Sequence, residues 1–128
     1  MRWAARTMIR RLIETSLVIG ALLLAACAQD NTITRGIKDS AQLRTALVKA
    51  IPVGKDVASA VAFMEQNRFR CLEQRNAAWG DRQGLDYVYC DKEVDAGWPI
   101  LRRWQVALIH GGRGQVQDVL VSTGLVGP

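Results

Sequence analysis

Two stretches in the first half of the chain repeat apolar residues at the spacing of an amphipathic helix. Between Asp39 and Pro52, this spacing places Leu43, Leu47 and Ile51 on one face. Asp39 is suited to cap the start of the helix, and Pro52 ends it because proline has no N–H to donate. The second stretch follows Asp56 and has the apolar positions Val57, Ala60, Val61 and Met64. The pattern therefore predicts two consecutive helices within residues 39–67.

Beyond residue 67 the apolar positions alternate with polar ones, which is typical of strands. The runs 69–72 and 87–90 flank a loop centred near Gly80-Asp81, and pairing about that centre sets Cys71 opposite Cys90. The runs 100–109 and 116–124 flank the glycine-rich turn 111–114. Pairing about this second turn sets Trp104 opposite Val121 and Val106 opposite Val119. The sequence therefore predicts two hairpins.

These elements define a fold class. They predict an α+β domain over residues 38–128, with two N-terminal helices packed on one face of a small antiparallel sheet of about four strands, arranged as two hairpins. Trp98-Pro99, in the loop between the hairpins, is expected to pack locally against an edge of the sheet.

The first 26 residues have the composition of a signal peptide. Four arginines precede an apolar run from Thr15 to Ala26. This run is too short to cross a hydrocarbon layer about 30 Å thick, which needs about 20 residues. Residues 1–26 are therefore predicted to be a cleaved leader. The alternatives are an uncleaved signal anchor and an ordinary secretory cut after Ala26 or Ala28.

The apolar run closes with Leu24-Ala25-Ala26-Cys27, which resembles the lipobox of bacterial lipoproteins. The resemblance implies that Cys27 becomes the first residue of the mature protein and carries acyl chains, two or more of which give stable anchoring. Among such lipoproteins, the absence of Asp after the cysteine implies the outer membrane, facing the periplasm. Residues 27–37 are predicted to be the lipidated cysteine and a flexible polar tether.

Most of the basic charge precedes Cys27. The whole chain has 17 Lys and Arg and 12 Asp and Glu, a net charge of +5. Four of the basic residues and one acidic residue belong to the leader, so residues 27–128 carry 13 basic and 11 acidic side chains, a net charge of +2. No basic run interleaved with aromatic residues remains in that part. A nucleic-acid partner is therefore not predicted.

The two remaining cysteines are expected to form a disulfide. An exported protein meets an oxidising environment, and Cys71 and Cys90 face each other in the predicted hairpin. A redox pair and a metal-binding pair are the alternatives. Neither has the expected pattern, because the spacing is not C-x-x-C and no further ligands lie nearby in the sequence.

The sequence shows no catalytic constellation. His110 is the only histidine, at a predicted strand end, and no serine after Cys27 has a recognisable nucleophile setting. The glycines at 111–114 lead from strand to strand, whereas phosphate-binding loops lead from a strand into a helix. The protein is therefore predicted not to be an enzyme and to need no cofactor, metal ion or small-molecule substrate.

The lipobox, the Gly54-x-Asp56 entry to the second helix and the order of elements resemble the small outer-membrane lipoproteins of the SmpA/OmlA type. That resemblance implies their architecture and envelope location, and suggests a part in outer-membrane protein assembly. We expect the protein to use its sheet to bind or scaffold an unidentified envelope protein, with Leu72 and Tyr89 as candidate contact residues. These two lie on the opposite face from Cys71 and Cys90; one face must meet the helices and the other is left open. The alternative is a periplasmic inhibitor or ligand-binding module that recognises its target with Trp79 and Arg82.

Overall fold

The computed structural model describes residues 30–128, which form an α+β fold. The helices are α1 (Ser40–Ala50) and α2 (Val57–Gln66), and the strands are β1 (Arg70–Trp79), β2 (Arg82–Asp95), β3 (Leu101–Ile109) and β4 (Asp118–Val126). All four strands are antiparallel and form one sheet in the order β1-β2-β3-β4. The predicted leader, the Leu24–Cys27 lipobox and the residues that follow it, Ala28 and Gln29, lie outside the described residues.

The predicted fold class, with two N-terminal helices on a sheet of two hairpins, requires correction. β2 and β3 pair without a break over nine residue pairs, so the sheet is one continuous meander rather than two hairpins. β2 itself has 14 residues and runs through Asp91, Lys92 and Glu93. Three consecutive charged residues are typical of a loop, but here each has a partner within the described part of the chain. Arg70 pairs with Asp91, two threonine hydroxyls bind Lys92, and Arg103 pairs with Glu93.

The hairpin formed by β1 and β2 has the predicted register. Cys71 lies opposite Cys90 and Leu72 lies opposite Tyr89. The disulfide between Cys71 and Cys90 is confirmed. It joins β1, at the edge of the sheet, to a central strand.

The predicted register of β3 and β4 is wrong by two residues, since Trp104 pairs with Thr123 and Val106 with Val121. Val116 is the cause, because it bonds to the loop between the helices instead of to β3. Its N–H donates to the Lys55 carbonyl and its carbonyl accepts from the Gly54 N–H, both at 2.8 Å. A shift of two residues leaves every side chain on its predicted face, since side chains alternate with a period of two.

Side-chain caps define the starts of both helices. The Asp39 carboxylate accepts a hydrogen bond from the Gln42 N–H at 2.8 Å, and the Gln42 side chain accepts from the Lys38 N–H at 3.0 Å. Asp56 accepts from the Ser59 N–H at 3.0 Å. These bonds satisfy N–H groups that have no partner inside the helix.

The helices cover one face of the sheet and enclose the main core. Its buried members are Leu43, Leu47, Ile51, Ala60, Met64, Phe69, Val88, Cys90, Trp104, Val106, Leu108, Val116 and Val119. The apolar stripes that predicted the helices are therefore the surfaces that meet the sheet. Trp104, in the middle of β3, is the largest fully buried side chain in the described residues.

The folded domain begins at Thr32, six residues earlier than the predicted boundary. Thr34 is buried, and the Ile33 N–H donates to the Asn67 side chain at 2.7 Å. The buried Lys92 ammonium donates to the hydroxyls of Thr32 and Thr34 at 2.6 and 2.8 Å. Residues 32–37 therefore belong to the domain and not to a flexible tether.

Candidate protein-binding face

The sheet has a second apolar cluster on the face opposite the helices. Alternation along β2 directs Val88 and Cys90 towards the helices, and Tyr87 and Tyr89 the other way. Leu72 lies on the same side as Tyr89, because directly paired residues of antiparallel strands share a face. We call this surface the aromatic face, formed by Leu72, Trp79, Leu85, Tyr87, Tyr89 and Leu120.

Trp79 is held on the aromatic face by two tyrosines. Its ring meets Tyr87 edge-on, with ring centroids 5.9 Å apart, and lies 6.4 Å from the ring of Tyr89. The Tyr87 hydroxyl donates to the Ala78 carbonyl at 2.8 Å. Tyr87 is consequently buried beneath the indole, while Trp79 and Tyr89 remain half-exposed.

A bulge in β1 allows the end of this hairpin to bend over the sheet. The pairing shifts between Gln74 and Ala77, where Asn76 has a left-handed backbone with φ of 46°. The Asn76 N–H donates to the Asp86 carboxylate at 2.9 Å, which stabilises the irregular turn. Bulges bend a strand and increase its twist, and asparagine tolerates the left-handed region better than most residues.

The bent hairpin end covers part of the aromatic face. Arg82, beside the turn, reaches Asp118 at the start of β4, with 3.9 Å between nitrogen and oxygen. Ala107 and Ile109 of β3 are buried although no helix covers their side of the sheet. Trp79 and Arg82 therefore flank the turn as predicted, and both also take part in contacts within the domain. The alternative of an inhibitor or ligand-binding module stays a prediction.

The uncovered part of the aromatic face lies around Leu72 and Tyr89. Leu72 is 62% exposed and sits directly across from Tyr89, whose hydroxyl accepts from the Gln105 amide at 2.9 Å. The structure therefore places these two predicted contact residues side by side. Trp79 joins them through its contact with Tyr89.

Two ion pairs lie beside this apolar area. Arg70 approaches Asp91 to 3.3 Å, and Arg103 approaches Glu93 to 2.6 Å. The hydrogen bond and the negative charge of Glu93 raise the pKa of the Arg103 guanidinium above its ordinary value. The result is an aromatic and aliphatic centre with a charged border, the composition common at the cores and rims of protein interfaces.

His110 has a structural role. Its Nε2 lies 2.7 Å from the Glu73 carboxylate, and its Nδ1 accepts from the Gly112 N–H at 2.9 Å. Because Nδ1 accepts, Nε2 carries the proton and donates to Glu73. Both ring nitrogens are engaged, and the ring joins β1 to the turn after β3.

Within residues 30–128, no group of three His, Cys, Asp or Glu side chains is arranged to hold a metal ion. No helix in that range is long and apolar enough to cross a bilayer.

Comparison of the chain with protein-family models, with curated proteins and with solved structures finds no significant match. The similarity to SmpA/OmlA-type lipoproteins therefore stays a prediction, based on Leu24–Cys27, on Gly54-x-Asp56 and on element order.

Proposed function

We propose that this protein is a non-enzymatic lipoprotein of the bacterial cell envelope, anchored through acylated Cys27, that binds another envelope protein with its aromatic face. The observation that carries the binding proposal is Leu72, which exposes 62% of its surface beside Tyr89 and Trp79. Anchoring is supported by the Leu24-Ala25-Ala26-Cys27 sequence at the end of an apolar run.

The disulfide supports a site outside the cytoplasm. Bonds of this kind persist in the bacterial periplasm and are rare in the cytosol, where thiols are kept reduced. Cys71 and Cys90 are joined, which leaves Cys27 as the one cysteine available for lipid. Because Ala28 and Gln29 follow Cys27, we assign the protein to the outer membrane, facing the periplasm.

A protein is the partner that best fits the aromatic face. Large side chains such as tyrosine and tryptophan supply much of the energy at protein interfaces, and charged pairs at the border add specificity more than affinity. On the aromatic face, the large side chains available to a partner are the half-buried Tyr89 and Trp79. The charged pairs at its border are Arg70–Asp91 and Arg103–Glu93.

The intact mass of the protein extracted from envelopes tests the anchoring. We expect a chain cleaved before Cys27, heavier by its acyl chains and lighter by two hydrogens at Cys71 and Cys90. The Cys27→Ala variant should lack the acyl mass and lose stable membrane association, because it has no thiol to modify. A full-length wild-type chain with three free thiols would contradict the proposal.

Photocrosslinking tests the binding face. A photoreactive residue replaces Leu72 in the lipidated protein, and in a matched control it replaces Val53, which is 75% exposed in the loop between the helices. We expect one discrete adduct from position 72 and none of that size from position 53. Tyr89→Glu should remove the adduct, because it places a charge at the centre of the apolar contact. Identical adducts from both positions, or no adduct from position 72, would count against the proposed face.

A further inference from the structure

Five of the eight large apolar side chains that are exposed in residues 30–128 lie together at one end of the sheet. We call this group the apolar tip, formed by Trp98, Ile100, Leu101, Leu125 and Val126. Trp98 is 91% exposed and Leu125 is 62% exposed. Large exposed apolar clusters usually mark a contact surface.

Strand pairing brings these residues to the same end. Leu101 begins β3 and pairs with Val126, near the end of the chain. Leu101 also pairs with Asp95, the last residue of β2. The loop 96–100 connects those two strands, so Trp98 is at the outermost point of the same end of the sheet.

The loop that carries Trp98 is held by hydrogen bonds. The Gly97 N–H donates to the Asp95 carboxylate at 3.0 Å, and the Ile100 N–H donates to the Gly97 carbonyl at 2.8 Å. The Ala96 N–H donates to the Ile100 carbonyl at 3.0 Å. Trp98 therefore projects from an ordered turn, contrary to the expectation that it packs against a sheet edge.

The N-terminal end of the folded domain lies near this tip. Thr32 binds the Lys92 ammonium, and Lys92 precedes the last residue of β2 by three positions, which is about 10 Å along a strand. Ile33 binds Asn67, just after α2 and shortly before the start of β1, which lies at the same end of the sheet. The opposite end of the sheet is farther away, because Lys92 pairs with Trp104 and Ile109 lies five residues from Trp104, which is about 17 Å along the strand.

The chain between the lipid attachment site and the domain is short. Residues 28–31 are all that separates Cys27 from Thr32. Even fully extended, this connection spans no more than about 18 Å. This connection starts at Thr32, which lies closer to the tip end of the sheet, at about 10 Å, than to the opposite end, at about 17 Å. A short lipid anchor therefore favours an orientation in which the tip is the end nearer to the lipid surface.

We propose that the apolar tip is a second membrane contact, in which Trp98, Ile100 and Leu125 enter the interface of the phospholipid layer that holds the acyl chains of Cys27. This inference rests on the proposed anchoring. Tryptophan favours the membrane interface because its ring is both apolar and able to donate a hydrogen bond. Arg102 follows Leu101 directly in β3, which places a basic side chain next to the tip, where anionic lipids would attract it.

The contact would set the orientation of the domain. With the tip in the lipid surface, the strands stand away from the membrane and the aromatic face points sideways. Leu72 and Tyr89 then meet partners that approach along the membrane, and the loop around Val53 points away from it.

Quenching of tryptophan emission by brominated lipid tests this contact. The full chain is expressed, extracted in its acylated form and placed in vesicles of phosphatidylethanolamine and phosphatidylglycerol with brominated acyl chains. The mature protein has Trp79, Trp98 and Trp104. We expect Trp98→Ala to lose most of the quenching while the protein stays on the vesicles. Trp79→Phe is the control and should keep the quenching.

A second pair of variants leaves all three tryptophans in place. Leu125→Asp puts a charge in the tip and should reduce quenching of Trp98, whereas Val53→Asp alters a comparably exposed residue elsewhere and should not. An acylated, vesicle-bound protein that is quenched equally with and without Trp98, or not at all, overturns the tip contact and leaves the anchoring proposal standing. A protein that has no acyl chains and fails to float with the vesicles overturns both.

Discussion

Replacing Trp104 with alanine is expected to lower the free energy of unfolding by about 3–5 kcal/mol, the range measured for large aromatic side chains removed from a core. Trp104 is fully buried in the middle of β3, between Lys92 on one neighbouring strand and Thr123 on the other. The Arg102 guanidinium lies over its ring, 5.5 Å from the centroid. The free energy of unfolding of a domain is only about 5–15 kcal/mol, so this one side chain accounts for a large share of the stability.

Trp104→Phe separates the volume of the ring from its N–H group. The buried Nε1 of Trp104 has no hydrogen-bond partner among the residues that the structure describes. Replacement by phenylalanine therefore removes packing contacts but no hydrogen bond, and we expect it to lower the free energy of unfolding by less than about 2 kcal/mol. Urea unfolding of the mature protein, followed by circular dichroism, measures both variants. Equal losses from Ala and Phe would mean that the N–H matters and would contradict the packing explanation.

The elements that sequence reasoning located are those fixed by local chemistry. The apolar spacing of Leu43 and Leu47 predicts a helix with one buried face. Asp39 and Pro52 mark the ends of that helix, since the first caps backbone N–H groups and the second has no N–H to donate. The turn centred near Gly80-Asp81 was enough to predict that Cys71 pairs with Cys90, since strands joined by a tight turn have little freedom in register.

The features that sequence reasoning missed depend on contacts between distant residues. Nothing near Val116 in the sequence indicates that its backbone bonds to Lys55, and this bond moves the start of β4. Likewise, the charged residues 91–93 are compatible with a strand only because their partners come from other parts of the chain. Those partners include Thr32, which is 60 residues away from Lys92.

Only part of the candidate site could be predicted, because the rest of it also depends on contacts between residues that are distant in the sequence. Alternation alone places Leu72 and Tyr89 on one face. It does not show that the hairpin end bends over that face, because the bend depends on the left-handed conformation of Asn76 and its bond to Asp86. The apolar tip had no periodic signal, since Trp98 lies in a loop and its exposure follows from the hydrogen bonds of that loop.

Removal of the disulfide is expected to lower the free energy of unfolding by about 3 kcal/mol, the value that chain entropy gives for a loop of this length. The bond joins residues 19 positions apart and closes the loop that contains the bent hairpin end. Alanine at both Cys71 and Cys90 is the suitable variant, because Cys90 is fully buried and a serine hydroxyl there would need a partner. Urea unfolding of the variant, against wild type with and without a reducing agent, measures the effect.

The reducing agent supplies the internal control for this experiment. It should destabilise the wild-type protein by nearly the same amount as the double substitution, and it should leave the double variant unchanged. A loss in the double variant that reduction of the wild type does not reproduce would point to packing at Cys90 and not to the covalent link. Because the cytosol keeps thiols reduced, the same domain produced without its leader should resemble the double variant until it is oxidised. The stability of the domain would then depend on export, the step that the predicted leader, residues 1–26, is proposed to direct.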